Sequence, residues 1–140
     1  MQELPKEDKV LGHLLRINRL RIRHLRRHLV PYGYTGIMHL IVIFTNRHPG
    51  CSQEDITAFY ALDKTSVARD ARKLEDLGHL TRRQDPDNRR QYQLELTAAG
   101  LEMAATLAAI HDDYDRKLSQ DISPEDWASL KALLEMVEKN

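Results

Sequence analysis

Two stretches of the chain carry residue types that could do chemistry at a recognisable spacing. "RRQDPDNRR" sets Arg82 and Arg83 before an Asp-Pro-Asp-Asn turn and Arg89 and Arg90 after it. "DKTSVARDARK" sets Lys64, Thr65, Ser66, Ala68, Arg69 and Arg72 around an apolar stripe of Val67, Ala71, Leu74 and Leu77. Guanidinium and hydroxyl groups at these positions could hold a negatively charged partner. They do not make a catalytic set. The sequence has no phosphate loop, no metalloprotease helix and no serine in a nucleophile elbow, so neither an enzyme nor a cofactor is expected.

Composition narrows the class further. With 140 residues, 41% hydrophobic and 30% charged, the chain reads as one ordinary globular domain, residues 1–140. It lacks a run of about 18 apolar residues, so no membrane partner is expected. The opening "MQELPKEDKVLGHLL" has acids where a secretion signal needs positive charge, and the lone Cys51 suits a reducing cytoplasm. The formal net charge is zero, but the charge is unevenly spread. It is +6 from Met1 to His48, −1 from Pro49 to Leu96 and −5 from Thr97 to Asn140. A basic first third and an acidic last third suit contact between those parts, within or between subunits.

The elements follow from periodicity. Leu11, Leu14, Leu15, Ile22, Leu25 and Leu29 predict one long helix from about Glu7 to Leu29, with arginines on its other faces. Pro31 and Gly33 break it, and Thr35 is the expected cap of a second, all-round apolar helix, "IMHLIVIF". Ser52 with Asp55 predicts a capping box, Asp63 a further cap and Gly78 a helix stop. Two short helices about three residues apart make a helix-turn-helix candidate. The period then changes to two: "HLTRRQ" and "RQYQLELT" predict a β-hairpin with Tyr92, Leu94 and Leu96 on one face. Two amphipathic helices close the chain. The first carries Met103, Leu107, Ile110, Tyr114 and Leu118, and the second, capped by Ser123, carries Trp127, Leu130, Leu134 and Val137. The fold class is mainly α with a small β-hairpin wing, a winged helix-turn-helix flanked by N- and C-terminal helices.

Three segments in this order, "LDKTSVAR", "KLEDLGHLTRRQDPDNRR" and "LELTAAG", resemble the MarR family of bacterial winged-helix transcriptional regulators. The resemblance runs over nearly the whole chain and is tightest from Cys51 to Gly100. Four positions depart from the family pattern. Asn88 stands where the wing commonly carries an acid, Asp70 and His79 replace leucines, and Ala61 replaces a turn glycine. The resemblance implies a homodimer joined through helices at about residues 7–29 and 101–140, with a DNA-binding lobe at about 35–100. It implies a repressor bound to a pseudo-palindromic operator in double-stranded DNA.

Placed on that frame, the two opening stretches acquire roles. Lys64, Thr65, Ser66, Ala68 and Arg69 lie off the apolar stripe, where hydroxyls reach base edges or phosphates. There Arg69 can take a guanine with two hydrogen bonds, and Ala68 can touch a thymine methyl. Gln53 and Arg72 are expected on the DNA backbone. The resemblance assigns Arg90 to the minor groove, and Arg82, Arg83 and Arg89 are expected on phosphates or paired with Asp85 and Asp87. The family's small aromatic or anionic effectors imply a pocket, for which Arg16, Arg19, Arg23, Tyr32, Tyr34 and His39 are the candidates. Two other readings remain open. One is a winged-helix protein-interaction module without DNA binding. The other is a metal- or redox-responsive regulator, for which His24 and His28 lack a carboxylate or cysteine cluster and Cys51 reads as buried filler.

Overall fold

The computed structural model describes residues 9–140, so the predicted helix start near Glu7 lies outside the described residues. Among these residues six α-helices and three strands follow one another. They are α1 (Val10–Leu29), α2 (Met38–Arg47), β1 (Cys51–Ser52), α3 (Gln53–Tyr60), α4 (Lys64–Asp76), β2 (Leu80–Gln84), β3 (Tyr92–Leu96), α5 (Ala98–Ser119) and α6 (Pro124–Glu138). This is the mainly helical, winged arrangement that the periodicities predict. One compact unit runs to Ala104 and a second from Ala105 to Asn140, the boundary falling inside α5.

Local chemistry sets both ends of the helix-turn-helix. Ser52 Oγ accepts from the Asp55 amide at 3.1 Å and Asp55 returns the bond to the Ser52 amide at 2.9 Å, so the capping box forms. Three residues link α3 to α4, and the Asp63 carboxylate accepts from the Ser66 amide at 3.1 Å. At the far end Gly78 adopts φ +77°. Its amide donates to the Glu75 carbonyl, and the His79 amide reaches back to the Leu74 carbonyl, both at 3.0 Å. That pair of bonds is a Schellman stop. The core face of α4 is Val67, Asp70, Ala71 and Leu74. Leu77, expected on that stripe, is 43% exposed, because the helix ends there and the chain turns away.

Thr35 does not cap α2. Its amide and hydroxyl both point at Met38 Sδ, and the position before α2 is Ile37, with no capping side chain of its own. The Ile37 amide instead donates at 2.9 Å to Asp70 of α4, so the acceptor comes from another element.

The sheet holds one more strand than the hairpin. Residues Cys51 and Ser52 pair with Leu94 and Gln93, giving the order β1-β3-β2, all antiparallel. Leu80 and Leu94 are buried, whereas Tyr92, further towards the tip, is 39% exposed, so burial fades along the wing. The root of the wing is tightly joined to α5. Thr97 Oγ1 donates to the Gly78 carbonyl at 2.6 Å, its amide donates to the His79 carbonyl, and the Gly100 amide donates back to Thr97 Oγ1. A Cβ at Gly100 would collide with the His79 carbonyl oxygen, which explains the glycine that ends "LTAAG".

The terminal helices look different. In α1 only Leu25 and Leu29 are buried, while Val10, Leu11, Leu15, Ile17 and Leu20 are exposed. Residue Ser123 caps α6, yet α6 buries no residue at all, and Leu130, Leu133, Met136 and Val137 stand exposed. In α5, Met103 and Leu107 are buried but Leu118 is not. No helix among the described residues is long and apolar enough to cross a membrane.

Candidate nucleic-acid interface

The outer face of α4 is the first half of the site. Thr65, Arg69 and Arg72 recur at helical spacing opposite the Val67–Ala71–Leu74 stripe and are exposed, as is Lys64. Ser66 and Ala68 are half-buried, the Ser66 hydroxyl donating to Asp63 at 3.1 Å. Behind this face sits Asp70, one of the departures from the family pattern in the sequence. Asp70 is fully buried, accepting from the Ile37 amide at 2.9 Å and from Arg69 Nε at 3.3 Å, with Lys73 Nζ at 3.7 Å. A buried carboxylate is tolerated when it is paired and hydrogen-bonded, as this one is.

The wing is the second half. Its tip is held by bonds among neighbours. Asp85 and Gln91 join through the Asp85 amide, Asp87 donates its amide to Asp85, and Gln84 Nε2 donates to the Arg89 carbonyl at 2.7 Å. Arg89 and Arg90 are exposed. Arg83 approaches Glu95 at 3.9 Å across the hairpin. Arg82 faces the other way. Its guanidinium, with the side chain 14% exposed, bonds Glu75 of α4 at 3.2 Å and Gln53 of α3 at 3.1 Å, and lies over the Tyr92 ring. Arg82 and Gln53 therefore brace the wing against the helix-turn-helix, and neither Arg82 nor Arg83 pairs with Asp85 or Asp87.

A cavity of about 690 Å³ opens beside this lobe, lined by α1, the α1–α2 connection, α2 and Leu62. That is within the usual size for a small-molecule site. Its walls include Ile22, Leu25, Leu29, Tyr34, Ile37, His39 and Leu40, with Asn18, Arg21 and Arg26 contributed by α1. Of the six candidate residues for an effector pocket, Tyr34 and His39 are in this lining. Arg19 and Arg23 line a shallower groove on α1 with Arg26 and Arg27, and Arg16 and Tyr32 are absent from both linings. The sequence did contain the signal for Arg21. It shares a face with Asn18, Leu25 and Leu29, whereas Arg16 and Arg23 lie opposite. Tyr34, 2% exposed, is hydrogen-bonded through its hydroxyl to His79 Nδ1 at 2.7 Å, and burial pushes its phenol well above the usual range.

A family model described as the MarR family matches residues 32–91, from the α1–α2 connection to the end of the wing tip, before β3. The HTH-type transcriptional regulator BilQ of Clostridioides difficile (strain CD3) is 27% identical over 109 residues, or 78% of this chain and 74% of BilQ. The crystal structure of MarR matches 99% of this chain and 94% of that one with a TM-score of 0.88 at 25% identity. A MarR transcriptional regulator from Methanosarcina mazei Go1 matches 96% of each chain with a TM-score of 0.89 at 22% identity. The chain's helix-turn-helix and the first part of its wing match the MarR family model, and over most of its length it is similar to MarR-family regulators. The fold is the winged helix of those regulators.

Each departure from the MarR pattern has a structural counterpart. Asn88 accepts from the Arg90 amide through its side chain at 3.2 Å and from the Gln91 amide through its carbonyl at 2.9 Å, so an amide organises the tip. Ala61 occupies the left-handed region at φ 53°, which glycine would fill at lower cost. His79 meets Tyr34, and Asp70 meets Ile37, so both former leucine positions hydrogen-bond to the connection that lines the cavity. Cys51 is 5% exposed beside Thr45, and burial pushes its thiol up, away from the reactive thiolate. Among the described residues, His, Cys, Asp and Glu nowhere gather in a group of three that would hold a metal.

Proposed function

We propose that the chain is a MarR-family regulator, a sequence-specific repressor that binds a pseudo-palindromic operator as a homodimer in the cytoplasm. The observation that carries this reading is the exposed Thr65–Arg69–Arg72 face on a helix fixed at both ends, in the same compact unit as a wing tipped by exposed Arg89 and Arg90. Lys64, Thr65, Ser66, Ala68, Arg69 and Arg72 then address the major groove and its flanking phosphates. Arg83, Arg89 and Arg90 address the minor groove and backbone, while Gln53 and Arg82 hold the wing to the helices. The uncovered apolar residues of α1 and of α6 supply the surface for a second copy. The cavity takes a small anionic aromatic effector, its ring among Leu25, Leu29 and Tyr34 and its charge towards Arg21 and Arg26. Such an effector releases DNA only by its affinity difference between the bound and free forms, about 1–3 kcal/mol in typical couplings.

Selection of bound sequences from a random duplex pool tests the reading. The expected result is a two-fold site with half-sites about 34–36 Å apart and an affinity that falls steeply with salt. A pool that yields no consensus, together with a sedimenting monomer at micromolar concentration, overturns it.

A further inference from the structure

We propose that Asp70 is a positioning residue for DNA reading: it holds the Arg69 guanidinium in one plane and fixes α4 to the start of α2. This rests on the role proposed above for the outer face of α4. The site of Asp70 on that helix is unusual. It lies on the core stripe, three residues after Val67 and four before Leu74, where an apolar side chain would satisfy packing alone. The carboxylate is instead fully buried and fully used. Its Oδ2 accepts from the Ile37 amide at 2.9 Å, one of the unpaired donors at the start of α2, and the positive end of that helix favours an anion there. Its Oδ1 faces outwards to Arg69 Nε at 3.3 Å and Lys73 Nζ at 3.7 Å.

The division of labour between the two oxygens gives the mechanism. Arg69 keeps 58% of its side chain exposed, so its terminal amino groups remain available while Nε is held. A guanidinium is planar, and fixing Nε fixes the plane in which the two terminal groups present their donors. A bidentate contact with a guanine edge needs that plane set in advance. The backbone opposite Asp70 is shaped for it. Gly36 has φ +55°, and a Cβ there would stand 2.6 Å from Asp70 Oδ2, so only glycine lets the carboxylate reach the Ile37 amide. Lys73 Nζ also donates to Thr35 Oγ1 at 3.5 Å, a second tie between the same two elements.

The test is a double-mutant cycle on the full chain, read by selected-sequence profile and by affinity. Asp70→Asn keeps the volume and an acceptor for Ile37 but gives up the charge that holds Arg69. Preference for the base read by Arg69 should fall about tenfold, within the range of one bidentate contact, while affinity for random duplex stays within about twofold. In the Arg69→Ala background Asp70→Asn should change nothing further. Asp70→Leu, which extends the apolar stripe, should give the same profile, and it serves if the Asn variant does not fold. A folded Asn or Leu variant with the wild-type profile overturns this proposal alone. So does an effect that adds fully to that of Arg69→Ala, since a merely structural role would add. A wild-type chain that selects no sequence overturns this proposal and the proposed function together.

Discussion

The outer face of α4 and the tip of the wing present arginines to the same proposed partner, but they are built in opposite ways. The helix is fixed at its ends by its own cap, Asp63, and a Schellman turn, and from behind by a group distant in the chain, the Ile37 amide. The tip is organised only by its own neighbours, all its hydrogen bonds lying within residues 84–91. The difference matches what each must recognise. Telling one base pair from another requires a donor pair at a set angle, whereas a phosphate or a degenerate minor groove requires charge within reach. Rigidity is concentrated where sequence would be read.

The largest expected effect tests that division directly. Arg69→Ala should cost about 1–3 kcal/mol on the preferred duplex and relax preference at one base position. Arg90→Ala should weaken all duplexes alike and lower the salt slope by about one. Profiles and salt titrations run side by side decide it, and two variants with the same profile and the same slope would erase the contrast.

A second prediction asks whether the root of the wing, unlike its tip, shares in the stability of the fold. Tyr34 ties the cavity wall to His79 just before β2, and its phenol is raised by burial. The folded state therefore keeps this proton after the unfolded chain has lost it. Stability is fully present below about pH 10, the ordinary tyrosine value, and falls above it by up to about 1.4 kcal/mol per pH unit. Urea midpoints at pH 9 to 11 should fall more steeply for the wild type than for Tyr34→Phe. Parallel curves would mean that Tyr34 does not govern this range.

The smallest effect concerns the turn before α4. Ala61 in the left-handed region costs about 1–2 kcal/mol, of which glycine would return part to unfolded-chain entropy, about 0.4–1 kcal/mol. Ala61→Gly should raise the denaturation midpoint by a gain of about 0.5–1 kcal/mol. DNA affinity should stay unchanged, because Asp63 and Asp70 set the helix downstream. A lower midpoint would show that the alanine methyl packs more favourably than its backbone suggests.

What the sequence made legible was local. The caps at Ser52, Asp63 and Ser123 and the stop at Gly78 depend on residues within a few positions of one another, and all form as the spacing predicts. The order of helices and hairpin followed from changes of period. What stayed hidden depends on distance in the chain. Thr35 looked like the cap of α2 because the true acceptor, Asp70, lies 33 residues beyond Ile37. The strand Cys51–Ser52 has two residues and no alternation to betray it. Arg82 was expected on phosphates or beside Asp85 or Asp87, and its partners Glu75 and Gln53 come beside it only through folding. In the cavity, Arg21 was readable from its helix face, whereas the presence of a cavity at all required the α1–α2 connection to be placed.

The junction of the wing with α5 sets the terms on which this protein can diverge. Thr97 grips the carbonyls of Gly78 and His79, and Gly100 leaves no clearance for even one added carbon. Residues added near the root would break that grip and turn the whole hairpin. Residues added at Asp87 or Asn88 would only lengthen an exposed loop, at little entropic cost. Descendants of this sequence are thus free to vary how far the wing extends, but not the direction in which it points.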